Sequence, residues 1–98
     1  MTEVDGISRA VVISIQDSAI PRVDSSKLIE AYGEEIGSTL SRKVNELVRE
    51  AASMPIEWGN MSLAEGVRDI MGRFAQHHPG LSADALVEIG RCVGWQLR

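Results

Sequence analysis

The chain has 98 residues, 44% of them hydrophobic and 24% charged, with four aromatic residues, one cysteine and a formal net charge of -4. That length supports one domain around a modest core. The acidic balance opposes generic binding to nucleic acid or anionic membranes, because phosphate recognition depends on a concentrated positive surface.

Residues 1–8 are polar, contain glycine and carry no periodic signal, so a loose terminus is expected. From Arg9 to Gln16 the β-branched run Val11-Val12-Ile13-Ser14-Ile15 alternates in a way that predicts a short strand. Its only internal partner is Ala19 to Val23, reached through an Asp17-Ser18 turn, and Pro21 would confine that segment to an edge. Residues 9–23 are therefore expected to form a strand or hairpin. The alternatives are a helix starting at residue 9, or a chain lying extended over the core.

Asp24 to Ser53 reads as one long amphipathic helix. Taking a hundred degrees per residue, Ile29, Ile36, Leu40, Val44, Leu47 and Ala51 fall within about 80° of arc. Asp24 is a natural N-cap, Val23 and Leu28 form a hydrophobic staple, and Pro55 lies beyond the end. Gly33 and Gly37 should each weaken a helix by about 1 kcal/mol relative to Ala, yet the apolar phase continues past both, which favours a continuous helix. Such a helix would be about 42 Å long, more than a chain of this size readily covers with its own short elements. The small residues Gly33, Gly37 and Ser41 recur every fourth position, a spacing that lets another backbone approach closely. That backbone could be a second helix of the same chain or a second subunit. Six acids and four bases in the segment exclude a membrane span.

Met54 to Met61 is a connector holding Trp58, either folded back on the core or exposed as an anchor. Ser62-Leu63-Ala64-Glu65 has the capping-box pattern and opens a second helix over 62–78, with Leu63, Val67, Ile70, Met71 and Phe74 on one face. Pro79-Gly80 ends it. A third helix over 82–97 carries Leu86, Ile89, Val93 and Leu97 inside, and its Gly90 and Gly94 could meet the glycine pair of the long helix. Trp95 projects to the opposite side near Arg91, either stacked on that guanidinium or marking a second contact surface. The expected fold is thus mainly α: a short N-terminal strand or hairpin, a long helix and a C-terminal two-helix hairpin.

No catalytic constellation, cofactor motif or metal spacing is present in the sequence. His77 and His78 are adjacent rather than four apart, and suit the negative end of a helix dipole better than a metal. Cys92, the lone thiol, permits no internal disulfide. No signal-peptide pattern opens the chain, and with the single thiol this points to the cytoplasm. These features favour a noncatalytic protein-protein interaction module, homodimeric, serving as adaptor, regulatory subunit or inhibitor of a larger partner. Gly33, Gly37, Leu40, Ser41, Val44, Trp58, Arg91 and Trp95 are its candidate interface residues. The alternative is a dimeric DNA-binding regulator of ribbon-helix-helix or helix-turn-helix type, although the strand face Ala10, Val12, Ser14 and Gln16 lacks the basic character of a groove reader. A third reading, a small enzyme or ligand-binding protein, would need polar groups converging in a pocket.

Overall fold

A computed structural model of the chain describes residues 3–16 and 21–97. Among these residues there are five helices and no strand: α1 (Glu3–Ile15), α2 (Ser25–Tyr32), α3 (Glu34–Ala52), α4 (Leu63–His77) and α5 (Ala83–Gln96). The mainly helical expectation holds, and the expected N-terminal strand does not. Residues 9–15 belong to α1. The Asp17-Ser18 turn and the start of the second proposed strand lie outside the described residues.

The helical phase of α1 is set by what it buries. Ser8, Val11, Ser14 and Ile15 fall on one face at helical spacing and are all buried, along with Ala10. Ser14 is accommodated because its hydroxyl donates to the Val11 carbonyl at 3.1 Å, and Ser8 because its Oγ accepts from the Ser82 amide at 3.0 Å. Packing against α5, α3 and α2 overrides the β preference of the run.

The long helix is also corrected: it breaks at Gly33, whose φ of 91° no other residue adopts without strain. The Gly33 amide closes α2 on the Ile29 carbonyl, and its own carbonyl accepts the Gly37 amide to open α3, both at 2.8 Å. The chain then folds back so that α2 lies against the Gly37 backbone. A Cβ placed on Gly37 would meet Ile29 Cα at 2.6 Å and the Leu28 carbonyl oxygen at 2.7 Å. The Asp24 cap forms as expected, its carboxylate accepting from the Ser26 amide at 3.0 Å. Leu28 is fully buried. Two bonds fasten this corner to α1: Asp24 amide to Ser14 carbonyl at 3.0 Å, and Lys27 Nζ to Gln16 carbonyl at 2.8 Å.

α4 and α5 follow the sequence closely. The Ser62 capping box is complete, with Ser62 amide to Glu65 Oε1 at 3.0 Å and Glu65 amide to Ser62 Oγ at 3.2 Å. Ser82 caps α5 through the Ala85 amide at 3.1 Å. Gly90 and Gly94 face Met71 and Val67 of α4 at ordinary contact distance, not the glycines of α3. The core joins Val11 and Ile15 of α1, Leu28 of α2, Val44 of α3, Ile70 and Phe74 of α4, and Ile89 and Val93 of α5. The Cα extents are 45 × 28 × 18 Å. With helices packing about 8–10 Å apart, the shortest dimension holds two layers, so helices keep an outer face.

Two predictions test these contacts. Gly37→Ala should lose about 1–3 kcal/mol through overlap with the α2 backbone, whereas Gly72→Ala, on exposed α4 surface with nothing within 4 Å of the new Cβ, should gain up to about 1 kcal/mol from helix propensity; urea melts would show opposite shifts. Hydrogen bonds from the Ser62 backbone and then its side chain hold the Glu65 carboxyl below its ordinary value of 4.5. A lowered folded-state value gives stability that is present above the ordinary value and lost as pH falls through the lowered one. Glu65→Gln should therefore melt below wild type near neutral pH and converge with it in acid, read from thermal midpoints across that range.

Candidate functional site

Three stretches distant in sequence enclose a groove of about 600 Å³. Ile7 of α1 forms one wall, and Lys43, Glu46, Leu47 and Glu50 of α3 form another. The end of α4 and the following turn, His77 to Leu81, close the third side. The turn is held at both ends. His78 caps α4, its amide donating to the Phe74 carbonyl at 3.1 Å, and the Leu81 amide donates to the His78 carbonyl at 3.1 Å. The Ser82 amide then reaches Ser8 of α1.

Inside this frame His78 Nε2 lies 2.7 Å from Glu50 Oε2, and the imidazole leans on Phe74 with ring centroids 4.5 Å apart at 38°. The pair ties the last turn of α3 to the end of α4, elements that otherwise touch sparingly. It makes His78 a structural clasp as well as a lining residue. The apolar part of the groove comes from Ile7, Leu47 and Leu81.

Beyond the groove, the same side of α3 runs on toward its N-terminus. Ile36, Leu40, Lys43 and Leu47 lie within about 60° of arc at a hundred degrees per residue, and exposure rises toward the N-terminus: Leu47 and Leu40 are half-buried, and Ile36 is 57% exposed. Ile29, whose backbone rests on Gly37, is 36% exposed at the same corner.

The candidate interface residues separate into three groups. Gly37, Ser41 and Val44 face inward and are buried, and Gly33 forms the turn, so these four are spent within the chain. Leu40 is half-buried beside the outer stripe. Trp58 folds back on α4: a Cβ on Gly66 would overlap its Cζ3 and Cη2, yet the indole remains 37% exposed. Arg73 fixes the same connector by donating to the Pro55 carbonyl at 2.6 Å while pairing with Asp69 at 3.0 Å. On the outer side of α5, Arg91 pairs with Glu88 at 2.7 Å and Trp95 is 41% exposed. The exposed Ile36, the packing role of Gly66 and the joining of His78 to Glu50 were not foreseen. A glycine in the first turns of α4, close in sequence to a loop tryptophan, is the one local signal that could have suggested any of them.

The groups a nucleophile or metal would need do not assemble. His77 and His78 line the groove, whereas Cys92 is buried in the core away from it, and burial pushes its thiol up to about 11. Among the described residues no group of three or more His, Cys, Asp or Glu side chains could hold a metal ion. No helix among them is long and apolar enough to cross a membrane. Comparison of the chain with protein-family models, curated proteins and solved structures finds no match.

The placement of Cys92 gives a direct test. A rise from 9.0 to about 11 lowers the thiolate fraction near pH 8 about a hundredfold. Alkylation of the folded protein should be slower than that of the guanidine-unfolded chain by at least this factor, measured by intact mass against time.

Proposed function

We propose that the chain is a noncatalytic protein-protein interaction module that associates with itself and serves as an adaptor, regulatory subunit or inhibitor of a larger partner. The helix-length argument for self-association no longer applies, because the helix breaks at Gly33 and α2 folds back onto Gly37. The observation that carries the reading is the outer face of α3, where a protruding Ile36 and a groove walled by Leu47, Ile7 and Leu81 share one side of a helix. Singly exposed apolar residues are ordinary, whereas a contiguous apolar surface rimmed by charge is a mark of association. Lys43, Glu46 and Glu50 supply that rim.

The ribbon-helix-helix form of the DNA-binding alternative loses its support, since residues 9–15 are helical. Light scattering over about 1 to 200 µM tests the proposal. The mass should rise from 10.7 kDa toward twice that value, and a constant monomer mass would overturn self-association. Tight binding of a DNA duplex that weakens at least about tenfold between low and physiological salt would replace the reading with the nucleic-acid one.

A further inference from the structure

We infer that the connector from Met54 to Met61 is a latch, which opens and recloses as one unit while the helices stay folded and, when closed, seats Trp58 and Ile56 against α4. The connector is tied to itself at its far end. There the Met61 amide donates to the Trp58 carbonyl at 2.7 Å, across a turn that the left-handed φ of 48° at Gly59 suits. Its polar ties to the helices are two, both near its root: the Met54 amide donates to the Ala51 carbonyl at 3.3 Å, and Arg73 Nη2 donates to the Pro55 carbonyl at 2.6 Å. Beyond Pro55 the hold is apolar. Glu57, Gly59 and Asn60 are exposed in the closed form, and a stretch with few backbone bonds to its surroundings opens at lower free energy than the helices beside it.

The seat is the bare backbone of Gly66. A Cβ there would overlap Trp58 Cζ3, stand 2.6 Å from its Cη2 and reach within 3.1 Å of Ile56 Cδ1. Those atoms are the far ends of side chains, so the indole can swing away, whereas α4 is favoured by an alanine at the same position. Arg73 is the bolt. Asp69, one turn earlier on α4, pairs with the guanidinium at 3.0 Å and aims it at the Pro55 carbonyl. Its Nε is buried without a partner, so removal of the guanidinium gives up the two Nη2 contacts and no bond at Nε. Because α3 and α4 touch sparingly, the closed latch ties the chain leaving α3 to the body of α4, as His78 and Glu50 tie their ends. Opening exchanges the seat on α4 for solvent at two large apolar side chains, which are thereby withheld or presented together. The latch does not depend on whether the chain self-associates.

The test uses the full chain carrying Trp95→Phe, which leaves Trp58 as its one indole. In a urea titration the Trp58 emission should shift to the red before helical circular dichroism is lost, and coincident transitions would overturn the latch. Without denaturant, Gly66→Ala and Arg73→Met should each raise acrylamide quenching of Trp58 at least about twofold while helical circular dichroism is retained. The double variant should exceed the larger single effect only slightly, because both changes open the same unit. Quenching unchanged in either helical variant overturns the proposal. Effects that multiply in the double variant show the seat and the bolt to be separate, which overturns the single unit. Loss of helical structure in both single variants makes the connector part of the global fold and overturns it as well.

Discussion

The approach of the α2 backbone to α3 at Gly37 governs the arrangement of everything N-terminal to it. Two glycines make it possible by different means: Gly33 supplies a backbone angle that reverses the chain, and Gly37 supplies the absence of a side chain where the returning helix must lie. Gly37, inside α3, costs about 1 kcal/mol of helix propensity relative to Ala. The full burial of Leu28 contributes about 1.5–3 kcal/mol in return. The same corner positions Asp24 and Lys27 to satisfy the carbonyls of Ser14 and Gln16 at the end of α1. Those bonds help set where α1 sits, and therefore where Ile7 stands as a wall of the groove.

What could be read in the sequence was whatever depends on neighbours within about one turn. The Asp24, Ser62 and Ser82 caps are reciprocal bonds over two or three residues, and each forms as its pattern indicates. Periodicity was a weaker guide. It placed Val44 and Ala51 correctly in the interior, but it counted Ile29 on the inner stripe when Leu28 is the buried residue of α2. That shift of one position, about a hundred degrees, is the trace of the break at Gly33. It is easy to miss because Leu28 and Ile29 are both apolar. The α1 run shows the opposite ambiguity. Val11, Ile13 and Ile15 alternate as a strand would, and the helical phase emerges only once Ser8 and Ser14 are known to be inside, which local chemistry does not announce for a hydroxyl.

The groove was not legible at all, for a geometric reason. Ile7, Leu47 and Leu81 come from three elements, and His78 reaches Glu50 across 28 residues of chain. No spacing rule connects such positions. The adjacent histidines were read as charges at a helix end, a reading that accounts for the position of His77 in the last turn of α4. It does not account for His78, whose ring sits between the core through Phe74 and the surface through Glu50.

Exposure alone would not single out α3. A slab two helices thick leaves apolar side chains outside in several places, and Val87, Trp58 and Leu63 are comparable to Ile29 or more exposed. Their surroundings differ. Trp58 already rests on Gly66, which gives much of the indole a packing partner within the chain. Val87 is next in sequence to Glu88, which pairs with Arg91 on the exposed side of α5, and it lines no groove described above. Ile36 stands at a corner made by a backbone-on-backbone contact, where the returning α2 cannot rise to cover it without losing the approach at Gly37. The packing that closes the inside of α3 thus leaves Ile36 outside, on the side of the helix that Leu47 shares with the groove.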